Sequence, residues 1–137
     1  MHDFNLNKKL EADTHHISDL ALCKLLIMNN ADYPWVILVP RISNITEIYQ
    51  LTEMDRKKLD FEVNEISKKL SDYFKADKIN IASIGNIVSQ LHIHIVVRNK
   101  KDLSWPETVW GKSNNRPYSD NQLIKLKKEF QGMFAYL

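Results

Sequence analysis

Gln90-Leu91-His92-Ile93-His94-Ile95-Val96-Val97-Arg98 alternates in the two-residue period of an extended strand. Leu91, Ile93, Ile95 and Val97 then face a core, while Gln90, His92, His94, Val96 and Arg98 point the other way. The two imidazoles share one face, with backbone positions about 7 Å apart along the strand. Both rings can therefore reach one small group such as a phosphate or a metal ion.

Working outward from this strand, Ile79, Ile81 and Ile84, broken by Gly85 and Asn86, predict a preceding strand and turn, so that two antiparallel neighbours are expected. Between Pro34 and Pro40, Trp35-Val36-Ile37-Leu38-Val39 combines strand-forming residues with two prolines that a central helix would not tolerate. It reads as a buried strand. From Met54 to Phe74 the apolar residues Leu59, Val63, Ile66, Leu70 and Tyr73 wind one stripe along a helix, with Thr52 and Asp55 spaced as a cap at its start. Thr14 to Met28 mixes periods and ends at Asn29, Asn30 and Asp32, which favours a hairpin without excluding a helix. Leu123, Leu126, Phe130, Met133 and Leu137 mark a C-terminal helix whose Lys125, Lys127 and Lys128 form a solvated face or, alternatively, a phosphate-binding patch.

One domain is expected from 137 residues of which 44% are hydrophobic, spanning 1–137 without repeats or low-complexity linkers. A net charge of +2, from 19 basic and 17 acidic residues, argues against a nonspecific nucleic-acid binder. The single cysteine, Cys23, sits among Leu22, Leu25 and Leu26 and is read as a small core residue. Met1 to Asp13 is polar and the apolar runs are strand-sized, so neither secretion nor a membrane is indicated, and the expected compartment is the cytoplasm.

A neutral imidazole nitrogen is a nucleophile near pH 7, and a protonated ring can donate to a phosphoryl oxygen or a leaving group. By itself a His-x-His pair also fits a decorated strand or two positions of a zinc shell, the latter needing a third ligand that no nearby Cys, Asp or Glu supplies. His15 and His16 are adjacent and so face opposite ways on a strand, and His2 lies in a terminus prone to fraying. Trp105 and Trp110 fit packing of a long connection, with stacking on a ligand as the alternative. Arg98 is on the histidine side, where it reaches solvent or a phosphate.

Three blocks carry a further signal: Pro34-Trp35-Val36-Ile37-Leu38-Val39-Pro40-Arg41, Gly85-Asn86-Ile87-Val88-Ser89-Gln90-Leu91-His92-Ile93-His94, and Trp105-Pro106 followed by Val109-Trp110-Gly111. Together with Asn80 they resemble the histidine triad (HIT) superfamily, in a bacterial branch with Gln in place of the first triad histidine. The resemblance runs from residue 34 to 111. It implies an α+β HIT-like fold, with an antiparallel sheet of about five strands, one long helix packed on it and a C-terminal helix. It also implies a homodimer that binds a purine nucleotide or nucleotide conjugate, with no cofactor, metal, nucleic acid or membrane.

Carried to matching positions, the resemblance makes His92 the nucleophile of a hydrolase or transferase, phosphoramidase-like, that passes through a nucleotidyl-histidine. His94 would hold a non-bridging oxygen or help protonate the leaving group, with Gln90 as the third member of the catalytic set. Asn80, Asn86 and Ser89 would contact phosphate, and Asn30 the nucleoside hydroxyls. Three departures stand out. Gln90 cannot titrate where the first histidine belongs, and Trp35 stands where many members carry an extra histidine. Asn29 and Asn30 replace an acidic ribose contact. A catalytically weak nucleotide-binding dimer is the alternative reading, and a metal-binding protein using the His-x-His pair is a further one.

Overall fold

The computed structural model describes residues 4–112 and 115–137. His2 lies outside them. In chain order the elements are α1 (Lys8–Asp13), β1 (Thr14–Asp19), β2 (Cys23–Met28), β3 (Trp35–Pro40), α2 (Glu53–Phe74), β4 (Lys78–Ala82), β5 (Ile93–Arg98) and α3 (Asp120–Met133). The five strands form one antiparallel sheet in the order β1-β2-β3-β5-β4. The expected α+β architecture is what the chain adopts, and Thr14 to Met28 is a hairpin.

Alternation assigns each side chain to one of two cores. Val36 and Leu38 of β3 and Ile93, Ile95 and Val97 of β5 join Leu59, Ile66 and Leu70 of α2 and Phe130 of α3 in the main core. Trp35, Ile37 and Val39 of β3 and Val96 of β5 turn to the opposite face, where Leu10 of α1, Tyr33, Val88 and Val109 cover them. Cys23 is fully buried in the main core. The strands that carry the site are therefore packed on both sides, which holds their side chains rigidly.

Helix α2 begins as its sequence suggests. Thr52 accepts a hydrogen bond from the Asp55 N–H at 3.1 Å, an N-cap contact worth about 1 kcal/mol. Its end differs from expectation. Tyr73 is exposed and its hydroxyl donates to Glu129, while Phe74 takes the inward place and meets Phe130 edge-on. On α3, Leu123, Leu126 and Met133 flank the buried Phe130, and Lys125 and Lys128 are exposed.

Two further expectations are corrected. The strand predicted over 90–98 begins only at Ile93, and the one predicted to include Ile84 ends at Ala82. The lead-in residues use their hydrogen bonds elsewhere: Leu91 N–H donates to the Ile45 carbonyl, and the Gln90 side chain bonds the N-terminal segment. Gly85, at the turn after β4, has φ 77°, a left-handed conformation that a side chain would strain.

Candidate active site

His92 closes the lead-in to β5 and His94 is the second residue of that strand, and the two rings emerge on the face away from α2 and α3. Their centroids lie 4.9 Å apart. They line a cleft of about 350 Å³ whose other walls are Trp35 and Ile37 of β3, Leu10 of α1, the turn from Ile84 to Val88, and Trp110 with Gly111. Lys9 and Asp13 of α1, paired at 2.9 Å, stand on its rim. A wider depression of about 630 Å³ between Glu47, Tyr49 and Arg56 contains no histidine.

The hydrogen bonds of the two rings assign their protons. Nδ1 of His92 lies 2.7 Å from the Gln90 carbonyl, which can only accept, so this nitrogen carries the hydrogen and Nε2 keeps its lone pair. His94 is the reverse. The indole N–H of Trp35 donates to its Nδ1 at 3.0 Å, and since an indole nitrogen only donates, the ring hydrogen of His94 must be on Nε2. Neighbouring imidazoles thus offer one bare nitrogen and one N–H. Burial, with a smaller push from the charge of His92, lowers the pKa of His94 to about 4. It is neutral throughout the physiological range.

Trp110 packs edge-on against both His94 and Trp35, with ring centroids 5.4 and 5.9 Å away. Its indole N–H is buried without a protein acceptor. Trp110 therefore belongs to the cleft wall, whereas Trp105 stacks against the Arg98 guanidinium, a packing role.

The other candidate residues are more dispersed. Asn86 lines the cleft; Ser89 is exposed on the lead-in and is not part of the lining. Gln90 turns from the cleft to the N-terminal segment: its Oε1 accepts from Asn7 N–H at 2.8 Å and its Nε2 donates to the Asn5 carbonyl at 2.9 Å. Asn80 accepts from Arg98 at 2.8 Å, and Asn30 is buried with its side-chain oxygen accepting from the Asp32 N–H at 2.9 Å. Asn29 accepts from Tyr118 N–H.

Arg98 reaches neither solvent nor the cleft, contrary to both expectations for it. It is 1% exposed, forks onto the Asp102 carboxylate at 2.8 and 3.0 Å, and donates to the Glu107 carbonyl. This pins the long connection that carries Trp110. Two histidines also lie apart from the cleft: His16 pairs with Asp19 at 2.9 Å on the surface, and His15 is partly buried on β1.

Lys9, Leu10 and Asp13 of α1 are wall residues that periodicity does not reveal, because a helix of six residues is too short to repeat a stripe. The signal that exists is local: Asn7 precedes the helix, and its side chain accepts from the N–H groups of Lys9 and Leu10. Among the described residues no group of three or more His, Cys, Asp or Glu is placed to hold a metal ion, and no helix is long and apolar enough to cross a membrane.

A model of the HIT domain family matches residues 9–101 of the chain. No curated protein matches the chain by sequence. Among solved structures, a histidine triad protein from Marinobacter aquaeolei VT8 is 42% identical, covers 98% of each chain and superposes with a TM-score of 0.95. A histidine triad protein from Bradyrhizobium japonicum is 36% identical over 96% of this chain and 98% of its own, with a TM-score of 0.92. A hypothetical histidine triad nucleotide-binding protein from Sulfolobus tokodaii, 15% identical over 93% of this chain and 87% of its own, shares the fold with a TM-score of 0.67.

Proposed function

The chain belongs to the HIT domain family, and from that premise we propose that it is a hydrolase or transferase that binds a purine nucleotide conjugate and cleaves it through a nucleotidyl-histidine on His92. The observation that carries this reading is the bond from His92 Nδ1 to the Gln90 carbonyl, which leaves Nε2 unprotonated in a ring that lines the cleft. Nε2 attacks the α-phosphorus, the leaving group departs, and water or another acceptor then displaces the imidazole. Splitting one displacement into two lowers each barrier.

His94 serves as an N–H donor to a non-bridging phosphoryl oxygen, in a site dry enough to make that contact strong. Asn86 and the backbone of the turn supply further donors. Ser89, exposed on the lead-in outside the lining, is left to a phosphate contact at the cleft mouth. Asn80 and Asn30 support the site indirectly, the first through Arg98 and the second through the turn before β3. In this reading the protein acts in the cytoplasm as a homodimer, with neither nucleic acid nor a membrane as a partner.

A nucleotide-binding module with negligible catalysis is the second reading, favoured by the diversion of Gln90 into the N-terminal segment. Adenosine and guanosine conjugates separate the two. Mass spectrometry of protein rapidly quenched in alkaline denaturant, where an N–P bond survives, should find a nucleotidyl adduct on His92. His92→Ala should lower nucleoside monophosphate release by about a thousandfold or more while calorimetric binding persists. Binding with no adduct and no turnover across the panel would leave the binding module.

A further inference from the structure

We propose that Trp35 and Gln90 together deprive this site of a general acid, so that it cleaves conjugates whose leaving group departs as a stable anion, a carboxylate or a phosphate, in preference to an amine or an alkoxide. The inference rests on His92 as nucleophile and adds to that reading the class of bond it breaks.

Proton delivery needs a ring that carries an extra proton. His94 is the ring nearest to His92, and Trp35 denies it that state. Its Nδ1 is already occupied by the indole N–H at 3.0 Å, and a second hydrogen there would set two donors against each other. The ring is 6% exposed, so water does not compensate. Its pKa of about 4 agrees with this geometry. His94 can donate a hydrogen bond from Nε2, but surrendering that hydrogen would leave an imidazolate.

Gln90 offers no substitute. Its amide does not titrate, and both ends are committed to Asn7 and Asn5. Among the described residues on the other elements around the cleft, Lys9 and Asp13 of α1 are the charged groups, paired with each other on the rim with side chains 55% and 45% exposed. Arg98, further along β5, is closed off by Asp102.

The chemistry then balances without an enzyme-borne proton. The Nε2 lone pair of His92 forms the N–P bond as the bond from phosphorus to the bridging oxygen breaks, and that oxygen leaves with the electron pair. In the second half water attacks phosphorus, its proton passes to solvent, and the N–P electrons return to Nε2. Nδ1 keeps its hydrogen on the Gln90 carbonyl throughout.

Substituted-phenyl esters of adenosine and guanosine 5′-monophosphate, differing only in the acidity of the phenol, test this by first-turnover phenol release from the whole protein. The rate should fall about tenfold for each unit rise in phenol pKa. An alkylamine phosphoramidate should be cut at least about a hundredfold more slowly than a carboxylic–phosphoric mixed anhydride. Trp35→Phe, which keeps a ring and removes the donor, should flatten the dependence on the phenol and add an acid-side ionisation to the pH profile. Lys9→Met should slow all esters alike and leave the dependence unchanged. A shallow dependence in the native protein, a phosphoramidate cleaved as fast as the anhydride, or a dependence that Lys9→Met alters would overturn the inference while His92 stayed the nucleophile. The native protein alone suffices for the first two outcomes if Trp35→Phe does not fold. Absence of any nucleotidyl-His92 with every substrate overturns the reading beneath it.

Discussion

His92 and His94 hold their rings 4.9 Å apart with planes inclined at 70°, and each is only 6% exposed. Two protonated rings so near and so dry would repel each other and forgo hydration. His94 responds by titrating at about 4 instead of 6.5.

That shift gives stability a pH dependence. Because the folded pKa lies below the unfolded one, the unfolded chain binds the extra proton as pH falls. The contribution is intact above 6.5 and is lost as pH drops toward about 4. Its size is on the order of 3 kcal/mol. Urea midpoints measured from pH 7.5 to 4 should fall more steeply for the native protein than for His94→Asn. Parallel curves would mean that His94 titrates normally.

Gln90→Glu keeps an acceptor for the Asn7 N–H but sets a carboxylate oxygen against the Asn5 carbonyl. The loss should be about 1–3 kcal/mol. Amide exchange over Lys8–Asp13 should accelerate before the sheet is affected, since α1 is the element this amide tethers to the body. Unchanged protection there would show that the tether is redundant.

Arg98 and Asp102 form a pair with side chains 1% and 9% exposed. Removing one partner strands the other in a low-dielectric site. Asp102→Ala should cost about 3–5 kcal/mol, and Arg98→Lys should recover little of the fork geometry. Trp110 fluorescence should change in both, because the connection that carries it is anchored at Asp102 and Glu107. Chemical denaturation checks the energy. A loss under 1 kcal/mol in Asp102→Ala would contradict the assigned role.

Glu62 is 2% exposed, and its two carboxylate oxygens accept the N–H groups of Leu22 and Cys23 at 2.8 and 3.0 Å. It ties α2 to the turn of the first hairpin. Glu62→Gln sets an amide N–H against one of those donors and should cost about 2 kcal/mol. A thermal melt reads it directly, and an unchanged midpoint would mean that the turn finds other acceptors.

Several of these relationships were not visible along the chain, and the reason is the same in each. The pattern from Leu91 to Val97 placed both imidazoles on one face, and the stripe from Leu59 to Leu70 placed α2 on the other, because side-chain direction follows backbone period within a single element. The stripe extended to Tyr73 in the wrong place, since Tyr73 and Phe74 both lie at its edge and α3 decides which is covered.

The sequence by itself determined the strand after Pro34, the apolar stripe of α2 and the shared face of His92 and His94, consequences of short-range periodicity and turn chemistry, while the α+β class followed from the family resemblance. Tertiary structure alone decided that Trp35 would meet His94 across 59 residues, that Gln90 would hold Asn7 across 83, and that Arg98 would be sealed inside. Those pairings follow from strand order and from which segment covers the second face of the sheet. A one-dimensional period specifies a direction for each side chain, but its partner is set by the packing of elements distant in the chain.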